Sequence, residues 1–141
     1  MQGIEIKMIS VIAGDATLQS LMGGDGDVSS DPRVYWYYQG DAEVTSAKPA
    51  YITYAQLASP ESSAGVGAPV YSMLVWGRDV DVVEQVRDRL ETLFDKVTYT
   101  SPSPYSKAFY GRLIHEQDSF QEHSNFAGKT LHFRFGFDRT T

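Results

Sequence analysis

Three histidines, a glycine-rich acidic stretch and an aromatic run are the features of this 141-residue chain whose residue types could support chemistry. His115, His123 and His132 fall in the last third, where a hairpin would bring them near one another, and imidazole nitrogens are common metal ligands. A tetrahedral site needs a third and a fourth ligand, and none is evident around a turn near Asn125, so no metal is expected. Gly23-Gly24-Asp25-Gly26 has the outline of a phosphate cradle, but it follows a helical segment instead of a strand, lacks the lysine and presents carboxylates. A plain flexible loop is the better reading. Asp25, Asp27 and Asp31 offer the oxygen ligands calcium takes, without the twelve-residue loop and its terminal glutamate, so a solvated acidic loop is expected. Tyr35-Trp36-Tyr37-Tyr38 would stack bases if basic residues were interleaved, and only Arg33 is nearby. One face of this run is expected in the core, and the other leaves aromatic side chains of the kind that anchor protein contacts, although simple core packing is the plainer reading.

A nucleophile elbow, a Walker phosphate loop, a dinucleotide glycine fingerprint and a His-Glu-x-x-His helix each fix their groups by spacing, and none occurs. The absence of cysteine excludes disulfides, thiolate metal sites and a cysteine nucleophile, and leaves the redox compartment open. A site assembled from distant carboxylates such as Glu84, Asp88 and Glu116 would leave no signature of this kind, which keeps a small hydrolase or ligand-binding protein as the rival reading. No catalytic, cofactor-binding or metal-ligating residue is assigned.

The elements that would position these groups fit one domain spanning residues 1–141. Apolar residues make up 42% and charged residues 21%, as in an ordinary globular protein, so the chain should fold. A net charge of -6 argues against tight binding of nucleic acid, which rests on lysine and arginine neutralising phosphates. No apolar run is long enough to span a bilayer, and Glu5 and Lys7 interrupt the segment where a signal peptide would be apolar, so a soluble, unprocessed protein is expected.

Ile4, Met8, Val11 and Ile12 recur at helical spacing, and Asp15 stands as an N-cap before Ala16 to Met22, which predicts two short helices or one broken at Gly14. Gly23 to Pro32 reads as a loop. Val34 to Tyr38 and Ala50 to Tyr54 read as strands, and the nearly all-apolar Val70 to Trp76 as a central strand covered on both faces. Asp79 or Asp81 caps an amphipathic helix whose stripe is Val83, Val86, Leu90, Leu93 and Phe94. After a short strand at Val97 to Thr100, two alternating segments close the chain. In the first, Phe109, Gly111, Leu113 and His115 share a face against Tyr110, Arg112, Ile114 and Glu116; in the second, Leu131, Phe133, Phe135 and Phe137 share one. A hairpin with its loop near Gln121 to Gly128 joins them. The fold class expected is α+β, one mostly antiparallel or mixed sheet with few helices.

This layout resembles the tail-completion, or tail-terminator, family of long-tailed bacteriophages. The residues that carry the resemblance are Asp15-Ala16-Thr17-Leu18-Gln19-Ser20-Leu21-Met22-Gly23, then Pro49-Ala50-Tyr51-Ile52, Val70 to Trp76, Val80 to Phe94 and Thr130 to Phe137. The resemblance implies a virion protein that forms a ring, typically a hexamer, between the head connector and the tail tube. Such a ring ends tube growth and lets DNA pass without specific binding; the alternative with the same layout is another neck or tail-tube-end structural component. It implies no catalysis, no cofactor and no membrane, with assembly in the host cytoplasm. An acidic subunit suits a conduit through which DNA must slide. Loops of this length and polarity usually carry binding roles, so Gly23 to Pro32, Ser59 to Pro69 and Ser101 to Lys107 are assigned to ring and neck contacts. The candidate interface residues are Asp25, Asp27, Trp36, Tyr38, Pro60, Glu61, Val66, Pro102, Pro104 and Tyr105.

Overall fold

The computed structural model of the chain describes residues 2–27, 29–36, 43–57, 69–104, 108–121 and 126–137. Helix α1 (Gln2–Gly14) turns Ile4, Met8 and Ile12, four residues apart, fully into the core. The chain breaks after Gly14, and the Asp15 carboxylate accepts from the Leu18 N–H at 2.9 Å to start α2 (Ala16–Met22), as the capping pattern predicts. Gly23 ends α2 in the left-handed conformation, φ 75°, with its place against the main chain of Ala47 leaving no room for a Cβ. Both requirements select glycine.

Strands β1 (Val34–Trp36), β2 (Ala50–Leu57) and β3 (Val70–Gly77) follow, then helix α3 (Val80–Phe94), and finally β4 (Thr98–Thr100), β5 (Ala108–Gln121) and β6 (Phe126–Phe137). They form one six-stranded sheet in the order β1-β2-β3-β6-β5-β4, in which β1 pairs with β2 in parallel and every other pairing is antiparallel. The α+β class and the mixed sheet are as expected. Asp79 is the residue that caps α3, accepting from Asp81 N–H at 2.9 Å.

The helices pack against one face of the sheet. Val83, Val86, Leu90 and Phe94 of α3 are buried together with Ile52, Met73, Val75, Leu131, Phe133 and Phe135 from the strands, while Leu93 is partly buried at the rim. Phe94 sits at the centre, 5.7 Å from the Phe133 ring and 6.0 Å from Phe135, in the tilted and edge-on geometries aromatic rings prefer. Each such side chain removed from water contributes roughly 1.5–3 kcal/mol before entropy is counted.

Two expectations need correction. The alternation read along β5 breaks at Ile114, a bulge: Leu113 pairs with Phe133, but the next partner, His132, belongs to His115. Phe109, Gly111 and Leu113 therefore face the helices as expected, whereas His115 crosses to the opposite face and Glu116 takes the helix side. The closing hairpin also pairs further than expected, since Phe126, Ala127 and Gly128 are in β6 opposite Gln121, Phe120 and Ser119. The expected loop of Gln121 to Gly128 thus narrows to residues 122–125, which lie outside the described residues.

β3 is central, with its helix-side residues Tyr71, Met73 and Val75 fully buried. On its second face Ser72 is buried and Leu74 and Trp76 are partly buried, and among the described residues no helix covers them. Here a smaller cluster of Val44, Tyr51 and Phe126 gathers Tyr35 and Trp76, and the Trp76 ring lies so close over Gly128 that a Cβ there would stand 2.5 Å from it.

Candidate functional site

The loop after α2 is an organised structure and not the plain flexible connection its composition suggests. Asp25 folds its carboxylate back onto the N–H groups of Asp27, at 3.0 Å, and Asp31, at 3.1 Å, and Asp27 does the same for Ser29 at 2.9 Å. The hydrogen bond from Asp27 N–H is the main reason the Asp25 carboxyl is held below its ordinary pKa. Both carboxylates are exposed, and both serve the shape of their own loop. From beneath, the buried Gln19 amide donates to the carbonyls of Ile12 at 3.1 Å and Pro32 at 2.9 Å while its oxygen accepts from Gly26 N–H.

The loop ends on Arg33, which is 2% exposed and has φ 61°. Its Nε donates to Ala50 O at 3.1 Å, and its Nη2 to Glu43 O at 2.7 Å and Lys48 O at 3.2 Å, tying the segment before β2 to the start of β1. Nη1 reaches the Tyr35 hydroxyl, which in turn donates to Asp31 Oδ1, and Lys48 Nζ closes the network on Asp31 Oδ2 at 3.1 Å. Burial raises the Asp31 pKa, but the Tyr35 and Lys48 hydrogen bonds and the Arg33 N–H outweigh it, and the net displacement is downward. A buried guanidinium held mostly by main-chain carbonyls is a scaffold and has no free face for a ligand.

Asp88 and Glu116 do come together, but around a cation. Arg87 bonds to Glu116 through Nε, to Asp88 at 3.1 Å and to Glu91 at 2.9 Å, while Glu84 is paired with Lys129 at 3.0 Å. Hydrogen bonding to Glu116, foremost, raises the Arg87 pKa and keeps it charged. All of these carboxylates sit against the positive charge of Arg87 or Lys129. Two open clefts flank the helices: about 430 Å³ lined by Val44, Pro49, Arg78 and Asp79, and about 410 Å³ lined by Ala13, Gln19 and Asp25. The first also has Thr45 and Ser46 in its lining and the second Ser20, and among the described residues no hydrogen bond joins these hydroxyls to Asp79 or Asp25.

The histidines meet in part. His115 and His132 are cross-strand partners with ring centroids 4.9 Å apart, and His123 lies outside the described residues. Partial burial first, and the neighbouring His115 second, lower the His132 pKa. Among the described residues no group of three or more His, Asp or Glu is placed to hold a metal ion.

Of the candidate interface residues, Trp36 is 46% exposed on the edge strand β1, on the helix side of the sheet opposite Tyr54. Asp25, Asp27 and Pro104 are exposed and Pro102 is half-buried; Tyr38, Pro60, Glu61, Val66 and Tyr105 lie outside the described residues. The features that sequence reading passed over are Arg33 and Gln19, together with a basic open face. On the side of the β5–β6 ladder away from the helices Arg112 stands opposite Arg134, two rungs from the histidine pair, with Tyr110 37% exposed and Ile114 45% exposed beside them.

No protein-family model matches the chain, and no curated protein matches it. Among solved structures the fold matches a chain from the virion of a native gene transfer agent particle, with a TM-score of 0.59 and 11% identity over 90% of this chain and 88% of that chain. At this identity the likeness establishes a shared fold, the one-sheet α+β arrangement with its helices on one face.

Proposed function

We propose that this chain is a non-enzymatic structural subunit of a virion that assembles with copies of itself into a ring at the head–tail junction. There it closes the tail tube, meets the head connector and leaves a passage for DNA. The observation that carries this reading is the fold shared, over nearly the whole of both chains, with a component of a gene transfer agent virion. Two further features support it. The order of capped helix, strand, Trp-ended strand, amphipathic helix and closing strand resembles that of the tail-terminator proteins, with Ala50 standing between Pro49 and Tyr51 where their pattern is Pro-Tyr-Ile. The carboxylates on which a hydrolytic reading would rest are committed to Arg87 and Lys129.

Light scattering coupled to size exclusion tests the reading directly. A ring gives a discrete species of several times the 15.7 kDa chain mass, with tail tube ends as its partner in particle reconstitution. Shortening residues 59–69 should leave a folded subunit that no longer attaches tails to heads. Hydrolysis of a substrate by a stable monomer would overturn the proposal.

A further inference from the structure

The two broad surfaces of the domain differ in charge. On the helical side, Asp81, Glu84, Asp88 and Glu91 of α3 and Glu116 and Asp118 of β5 outnumber the cations they share, Arg87 and Lys129, while Arg89 is paired with Asp15 at 2.7 Å; Asp81 and Asp88 are the exposed pair, and Asp81 has no ion pair among the described residues. On the open side of the sheet, Arg112 and Arg134 are partners, and His115 and His132 form the next pair on that face, beyond the Leu113–Phe133 rung that faces the helices. Both arginines are exposed, and neither has an ion pair or hydrogen bond among the described residues. The strand residues of β5 and β6 that share this face include no carboxylate, because the bulge at Ile114 sends Glu116 and Asp118 to the helix side.

Like charges directly opposite one another on neighbouring strands destabilise their pairing. The folded subunit nevertheless holds a compact cationic stripe in a chain of net charge -6. Tyr110 stands beside it opposite Gly136, above which a Cβ would meet nothing within 4 Å, so the aromatic ring borders open space. Exposed tyrosine next to arginine is the composition of an interface centre.

We infer that this stripe is one half of a subunit contact, in which the open sheet face around Arg112 and Arg134 docks on the acidic outer face of α3 of a second copy. The inference rests on the ring reading above and specifies which surfaces meet. A head-to-tail ring requires two different, mutually complementary patches on every subunit, and one subunit here carries both signs on opposite sides. A guanidinium group can take the exposed Asp81 carboxylate in paired hydrogen bonds and share Asp88 with Arg87, which fixes orientation as well as attraction.

The test is charge reversal in the full chain, read by light scattering across a concentration series, with circular dichroism to verify folding. Arg112→Glu with Arg134→Glu should raise the concentration needed for association by at least ~100-fold, since it sets acid against acid. Asp81→Lys with Asp88→Lys should do the same from the other side. The chain carrying all four substitutions should associate again, and so should an equimolar mixture of the two double variants. If a double variant does not fold, Arg112→Gln with Arg134→Gln replaces it, with a smaller shift in the same direction. Association of both double variants at wild-type concentrations would overturn the inference while leaving the ring intact. Loss of binding to a DNA duplex with unchanged association would overturn it in favour of a nucleic-acid contact. A wild-type chain that stays monomeric at every concentration would instead overturn the ring reading itself.

Discussion

Replacing Arg33 by Met keeps the apolar stem and removes every donor of the guanidinium. The carbonyls of Ala50, Glu43 and Lys48 would then lose their partner in a site where the residue is only 2% exposed. A hydrogen bond to a charged group contributes about 1.5–3 kcal/mol, and stranding a buried acceptor costs about 1–3 kcal/mol. The three acceptors share one donor group and part of the loss is recovered by water, so the terms do not add. The expected destabilisation is about 3–5 kcal/mol. Met also retains the strain of φ 61°, which costs of order 1–3 kcal/mol in a residue other than glycine. Arg33→Gly releases that strain but also empties the space of the buried stem, so it should be at least as destabilising as Arg33→Met. Urea unfolding monitored by tryptophan fluorescence and by circular dichroism measures both variants, with an unchanged m-value confirming that the native state alone has been altered. A loss below about 1 kcal/mol in Arg33→Met would refute the view that this side chain holds the segment before β2 in place.

Leu90→Ala opens a cavity beneath α3, and because Leu90 is fully buried the loss should be about 2.7–5 kcal/mol by thermal or urea unfolding. Gly128→Ala forces Trp76 off the sheet, which should shift its fluorescence to longer wavelength while the fold is retained. Asp15→Ala removes the cap of α2 and should cost about 1 kcal/mol at neutral pH. The Asp15 pKa is lowered, chiefly by its hydrogen bond to Arg89, so the stability it adds is complete above the ordinary carboxylate value of 3.8 and disappears as pH falls through the lowered folded value. Unfolding curves of Asp15→Asn and the wild type should accordingly converge in acid and separate toward pH 7.

Local signals made much of this fold legible. The α3 stripe, the Asp15 and Asp79 caps and the Leu131-Phe133-Phe135 face are all written in spacing, and each sits where spacing puts it. The bulge was hidden because Ile114, apolar and β-branched, fits either side of an alternating strand. The parallel pairing of β1 with β2 has no short-range signal, since it depends on the path between the two strands. Arg33 looked like a lone base beside an aromatic run; its partners are main-chain carbonyls 10 to 17 residues away, which no side-chain pattern announces. The candidate interface residues were chosen on loop composition and aromatic content, and half of them lie outside the described residues, whereas the basic stripe emerges only when β5 and β6 are laid in register.

Ile114 also bears on how this chain can change length. In the ladder it is supernumerary: His115 takes the partner that follows Leu113's, as it would if Ile114 were absent. Deleting it would leave Phe109, Gly111 and Leu113 on the helix side, Glu116 and Asp118 with them, and the arginine and histidine rungs on the other side. What would be lost is the extra twist a bulge lends its strand, so β5, shortened by one from its 14 residues, would run straighter against its 12-residue partner. Among relatives of this fold, a one-residue gap at this position is therefore the indel the sheet can absorb with every side chain still on its own face.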